Sequence, residues 1–200
     1  MNPGQTFDRV YAELKRRILA AHFRPGARID PAQLTDELAA SITPVRDALY
    51  RLAGERLVLA LPALGFRMPL LTEPALRDLY DWNEEILLVA TSSSAADREA
   101  PQRIERSDGI ASRTARLFEG IASGSDNAEL RLTIQSANDR LHAVRTIEAG
   151  HIHDTSEELE AIETAWRRGE AVALRRGLHR YHRRRHRLAG TIIHQLNRED

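Results

Sequence analysis

The chain has no cysteine among its 200 residues. That excludes a disulfide framework and any thiolate chemistry. Aromatic residues are scarce, at four Phe, four Tyr and two Trp, so a core has to be packed mainly from aliphatic side chains. No apolar run reaches the length that crosses a bilayer, and the first residues lack the pattern of a secretory signal. A cytoplasmic protein with no membrane partner is expected. Gly-rich phosphate loops, nucleophile–base motifs and carboxylates paired in an apolar setting are missing too, so an enzyme is not expected. Glu84-Glu85 and Glu157-Glu158 fall at a helix surface and a helix start, where solvation and capping account for them. No solenoid-type repeat is present.

An excess of one charge is also lacking overall, with 29 Lys or Arg against 29 Asp or Glu. Locally the balance shifts. Through Leu71 there are ten Lys or Arg and seven Asp or Glu, so the first third is basic and the remainder acidic. Phosphate attraction depends on the field of the docking face rather than on the total.

The stretch from Ser41 to Leu52 carries the most information. Thr43 is suited to cap a helix and Pro44 to open it, which places Arg46 in the first turn. Val45, Leu49 and Leu52 share one face and leave Arg46, Asp47, Tyr50 and Arg51 for the others. A short helix with a basic first turn suits the DNA major groove. Before it, Phe7, Val10, Leu14 and Ile18 mark an amphipathic helix. Arg24-Pro25-Gly26 is a turn, and Asp30 with Gln33 forms a capping box for a helix bearing Leu34 and Leu38. After it, Leu57 to Leu61, the turn Pro62 to Gly65 and Phe66 to Met68 read as a hairpin. The order is helix, helix, helix, wing. Tyr50 reads as a partly buried packing residue. Arg51 and Arg56 are open between phosphate contact and simple surface charge, and Arg67 reads as a phosphate contact.

These residues resemble the winged helix-turn-helix of the GntR family of bacterial transcription regulators. The resemblance rests on Tyr11 to Leu14 with Ile18, on Arg24-Pro25-Gly26, on Leu34 and Leu38, on Ser41 to Leu49 with Leu52, and on Gly65. It implies a DNA-binding domain over residues 1–70, with Ser41, Thr43, Arg46 and Gly65 at the operator and Arg51 and Arg67 as further candidates. Two departures bear on base preference: Ile42 stands where many members have Arg, and the wing tip Pro62-Ala63-Leu64 has no basic residue.

Strand signals end at Pro69 to Thr72. Residues 73–200 predict five helices in an antiparallel all-α bundle. The first runs from Glu73, capped by Thr72, to about Val89. The second runs from about Pro101 to Ile121, and the third follows Asp126. The fourth starts at a capping box with Thr155 as the cap, and the last runs from Glu170 to about Leu196. The whole is mostly α, a winged helix-turn-helix with a small β-hairpin wing followed by a helical bundle.

This half is similar to the FCD domain that follows the winged helix in one GntR subfamily, through Leu79-Tyr80, Ser125 to Asn127, Ala161-Ile162 and Gly169-Glu170. The segment Ala95 to Arg106 leaves room for one helix fewer. The resemblance implies a homodimer acting on an imperfectly palindromic double-stranded operator, with repression as the family's habit, and a small organic acid effector between the helices. Many members also bind a divalent metal there through one Asp and three His. The matching positions are Thr114 and Phe118, or Ala115 and Glu119 one residue on, then Leu159 and Tyr181. No metal or other cofactor is therefore expected. His182 and His186 share a helix face, but five Arg surround them and disfavour a cation. Effector-contact candidates are Asn83, Arg116, His142, Arg145, Tyr181 and His182, with Arg suited to a carboxylate. The alternative is a filled core, the second domain serving only to oligomerise the DNA-binding half.

Overall fold

A computed structural model describes residues 3–93 and 109–197. The chain divides into two compact units, Met1–Leu71 and Thr72–Asp200.

The first unit contains α1 (Pro3–Leu19), β1 (Arg28–Ile29), α2 (Pro31–Leu38), α3 (Ile42–Gly54), β2 (Leu59–Leu61) and β3 (Gly65–Arg67). The apolar stripe of α1 packs Val10, Leu14 and Ile18 against Val45, Ala48, Leu49 and Leu52 of α3, closing one aliphatic core with Phe66. Asp30 caps α2 by accepting from the Ala32 amide at 2.9 Å. The helix ends on Ala39 in the left-handed region, φ +46°, and this sharp exit turns the chain into α3. Ser41, not Thr43, is the N-cap of α3, and its side chain makes no capping bond. Pro44 therefore sits at the third helical position, where the missing N–H costs nothing because the first four amides of a helix have no internal acceptor.

The wing is a three-stranded antiparallel sheet in the order β1-β3-β2. β1 was not foreseen. It is only two residues long, too short for an alternating pattern, and it joins because Ile29 is opposite Phe66 and Arg28 opposite Arg67. Gly65 has φ +79° while a Cβ there would meet nothing within 4 Å, so its need is conformational rather than steric.

The second unit has five helices: α4 (Glu73–Ser93), α5 (Ile110–Ser123), α6 (Ala128–Glu148), α7 (Thr155–Arg167) and α8 (Ala171–Leu196). α4 continues past Val89 to Ser93, with the Thr91 and Ser92 hydroxyls satisfied by donating back to the Leu88 carbonyl at 2.8 and 3.0 Å. The expected helix start at Pro101 and the shortened Ala95 to Arg106 segment lie outside the described residues. The cap of α7 is Asp154, in the left-handed region at φ +61° and without a side-chain bond, so Thr155 is the first helical residue. Glu158 does not reach back as a capping box requires. It turns inward to Arg184 and Arg185, at 3.1 and 2.7 Å. The core joins Leu87, Leu117, Phe118, Ile121, Ile134, Ile162, Trp166, Leu178 and Tyr181. α7 and α8 approach at Gly177, where an added Cβ would lie 2.9 Å from Ile162 Cγ1. Among the described residues no helix is long and apolar enough to cross a membrane.

Candidate functional site

The outer face of the first unit is built by α3 and the wing. Ser41, Thr43 and Arg46 are exposed on the opening turn of α3. Because Ser41 does not cap, the first amides of that helix are open to an external acceptor. Arg46 borders a groove of about 480 Å³ with Arg28, Pro31, Tyr50, Ala63 and Gly65. No carboxylate among the described residues pairs with Arg46 or Arg28. Arg28 and Arg67 are exposed cross-strand partners, and like charges directly opposite repel. An anion between them relieves that repulsion. Arg67 Nη1 also donates to the Gly26 carbonyl oxygen at 3.3 Å.

Two expectations change here. Tyr50 is 52% exposed, its ring edge-to-face with Phe66 at 4.9 Å between ring centres. Its position on α3 faces the groove instead of the core. Arg51 is turned to α1, over the Tyr11 ring at 4.0 Å and 3.4 Å from Glu55. It joins a clamp in which Tyr11 donates to Glu55 at 2.6 Å and Lys15 at 3.1 Å. That clamp occupies its guanidinium. Arg28 went unnoticed in the sequence, since only its pairing across the wing to Arg67 brings it to the groove.

A second group of polar side chains is buried in the helical unit. Arg145 and Arg185 are 1% and 2% exposed, yet their surroundings differ. Arg185 is held by Glu148 and Glu158 at 2.8 and 2.7 Å and lies over the Tyr181 ring. Tyr80 donates to the other oxygen of Glu148. Arg145 has no carboxylate partner among the described residues. Its Nη1 donates to Asn138 Oδ1 at 2.9 Å, and the guanidinium lies 5.2 Å from the Phe118 ring centre. Its Nε and Nη2 are buried without an acceptor, as is the Tyr181 hydroxyl. Nε and Nη2 form one edge of the guanidinium, the edge that grips both oxygens of a carboxylate.

His182 stacks on Phe118 and meets Tyr181 edge-on. Burial, with the cations Arg145 and Arg185 adding to it, lowers its pKa to about 3, so the ring is neutral. Nδ1 lies 2.8 Å from the Leu178 carbonyl and donates to it. Nε2 then has only a lone pair, and it lies 3.0 Å from Asn83 Oδ1. A half-turn of the Asn83 amide brings its NH2 group to that lone pair. In either orientation one polar atom of Asn83 has no partner. Asn83, Arg145, Tyr181 and His182 thus converge. His142 stands at the half-buried edge, its pKa lowered by burial and then by Arg145. Arg116 on α5 is half-exposed, with its Nε buried.

This donor set does not fit a divalent metal. Thr114 donates its hydroxyl to the Ile110 carbonyl at 2.8 Å, Phe118 and Leu159 are core residues, and His182 Nδ1 is committed to Leu178. Donors that point protons inward suit an anion, whereas a cation needs converging lone pairs. His182 and His186 do not act together, since His186 faces Arg77 and Asp81.

A winged helix-turn-helix is a DNA-binding architecture, and here it is followed by an all-helical unit. The model of bacterial regulatory proteins of the gntR family matches residues 6–68. The Nta operon transcriptional regulator of Aminobacter aminovorans is 29% identical over 157 residues, 68% of this chain and 75% of that protein. The HTH-type transcriptional repressor GlaR of Escherichia coli (strain K12) is 34% identical over 82 residues, 40% of this chain and 37% of that protein. A GntR transcriptional regulator from Rhodococcus sp. RHA1 superimposes with a TM-score of 0.75 at 19% identity, covering 92% of this chain and 96% of the other. E. coli McbR/YncC gives 0.66 at 19% identity, covering 96% and 99%. Residues 6–68 thus carry a gntR-type DNA-binding domain, and the chain is similar to transcription regulators of that family.

Proposed function

We propose that this regulator is a homodimeric repressor that reads an imperfect palindrome with α3 and the wing of each copy, and that a small organic acid sets its affinity. Ser41, Thr43 and Arg46 meet the major groove, while Arg28 and Arg67 hold phosphate beside the wing. Gly65 shapes the wing tip. The observation that carries this reading is the groove between α3 and the wing, lined by Arg46 and Arg28 without a carboxylate on either.

The second unit is read as an FCD-type domain in which Arg145 replaces the family's metal as the positive centre. The edge formed by Arg145 Nε and Nη2 takes the carboxylate, and Tyr181 and Asn83 take further polar atoms of the ligand. The unpartnered donors weigh against a second unit that only oligomerises, since a filled core has no reason to bury them.

Selection of genomic fragments from the source organism with the purified chain tests the first half of this reading. One palindromic site is expected to be enriched. Arg46→Ala is expected to weaken it by about 1–3 kcal/mol, roughly 5- to 150-fold, with the fold unchanged. A folded Arg46→Ala protein that binds as tightly as wild type sinks the base-contact assignment. Thermal-shift screening of organic acids tests the second half, and no shift with any acid at saturation would return the second unit to oligomerisation alone.

A further inference from the structure

Two oppositely charged stripes lie side by side on the second unit. α4 and α8 are antiparallel neighbours, registered by Arg77 with His186, Glu84 with His179 and Ser92 with Arg175, at 2.8, 2.8 and 3.1 Å. On α4, Asp78, Asp81, Trp82 and Glu85 recur at helical spacing and are exposed. The Trp82 indole is 54% exposed. On α8, Arg176, Arg180, Arg183 and Arg187 do the same, lining a groove of about 620 Å³ beside Leu88. Among the described residues none of these four Arg has a carboxylate partner, and neither Asp78 nor Glu85 has a cation. Asp81 reaches only His186, at 3.5 Å.

We propose that the α4–α8 face is the interface between two copies of this chain, each acidic stripe lying on the partner's basic stripe. The proposal rests on the dimeric reading above and names its surface. Symmetry selects the arrangement. A two-fold axis lying across the helices sets α4 on α4 and α8 on α8, carboxylates against carboxylates and guanidiniums against guanidiniums. An axis lying along the helices sets α4 on the partner's α8, and both contacts are then favourable and identical, as an isologous interface requires. The register carries through. Asp78 comes level with the partner's Arg183 and Arg187, and Glu85 with the partner's Arg176 and Arg180. Trp82 falls between the partner's Arg180 and Arg183, where its ring face accepts a cation. Arg and Trp are the side chains over-represented at the centres of such contacts. A nucleic acid suits the basic stripe alone, because the three carboxylates beside it repel phosphate.

Charge exchange in the full-length protein tests this. One variant carries Asp78→Arg and Glu85→Arg, the other Arg180→Glu and Arg183→Glu. The readouts are sedimentation equilibrium for mass and circular dichroism for fold. Each variant alone places like charges across both halves of the interface. Each is expected to be folded and to dimerise at least about 100-fold more weakly than wild type. An equimolar mixture is expected to recover a heterodimer, because each reversed stripe then meets its opposite. That rescue cannot come from a variant that is merely misfolded. Dimers of unchanged strength in both variants overturn the surface and leave the dimeric reading standing. A monomeric wild type at tens of micromolar overturns the dimeric reading itself. Variants that remain dimeric but lose DNA affinity on every sequence assign the basic stripe to phosphate and overturn the proposal.

Discussion

Replacing Arg145 by Met should stabilise the ligand-free protein while abolishing its response to an organic acid. The guanidinium is 1% exposed, with one hydrogen bond and one ring as its company. Met has a similar reach and no charge. Burying a charge without a counter-ion costs several kcal/mol even after relaxation, and relief of that cost is worth about 3–5 kcal/mol. Two losses oppose it. Asn138 Oδ1 is left without its donor, at about 1–3 kcal/mol, and the cation–π contact with Phe118 goes, at about 1 kcal/mol. The net is a gain of about 1 kcal/mol.

For a unit of this size that gain raises Tm by about 3 °C. Scanning calorimetry of the full chain, without added organic anion, measures it. In a saturating acid the order should invert, since a ligand at 100 times its Kd adds about 2.7 kcal/mol to wild type and nothing to the Met variant. A ligand-free Arg145→Met protein that melts about 10 °C below wild type would refute the reasoning. It would make the guanidinium a net stabiliser of the core and not a receptor waiting for its anion.

The remaining predictions follow from single residues of the same unit. The folded pKa of His182, about 3, lies below its unfolded value, so protons favour the unfolded chain. Stability is full above about pH 6.5 and falls below it, by about 2 kcal/mol at pH 5, and His182→Gln should flatten that slope in urea melts at the two pH values. Gly177→Ala and Gly190→Ala should move Tm in opposite directions. An Ala in a helix gains about 1 kcal/mol over Gly, but at Gly177 the new methyl meets the branched Ile162 side chain at 2.9 Å, and overpacking of about 1–3 kcal/mol wins. At Gly190 it meets only the end of the flexible Glu73 side chain, so the gain survives. Equal signs in the two thermal melts would show that packing between α7 and α8 does not set the balance.

The sequence exposes the helices and the wing because their signals are local. The apolar spacing of Phe7 to Ile18 and of Val45 to Leu52, the Asp30 cap and the positive-φ Gly65 each speak within a few residues. What it hides depends on distant partners. Asp154 replaces Thr155 as a cap because Glu158 is drawn to Arg184 and Arg185, some 26 residues away. Arg46 and Arg51 are alike in the sequence, two cations on one helix, but the hydrogen-bonded pair Tyr11 and Glu55 engages Arg51 alone. Arg28 carried no pattern of its own and acquires a place only through the strand pairing with Arg67.

The same distinction separates the two buried arginines. Arg185 and Arg145 are equally hidden, and composition cannot rank them. Arg185 is met by two carboxylates, Glu148 and Glu158, and lies on a phenol ring, so its charge is balanced within the fold and its loss would strand two anions. Arg145 is met by an amide and a benzene ring, neither of which carries a counter-charge. A fold that needed only rigidity at this position would place an aliphatic chain there, which fits without any desolvation cost. On the proposed reading, the carboxylate of an organic acid supplies the balance that the fold itself does not. On that reading the guanidinium beside Phe118 is the positive centre, at a place where Phe118 and Leu159 offer no metal ligand.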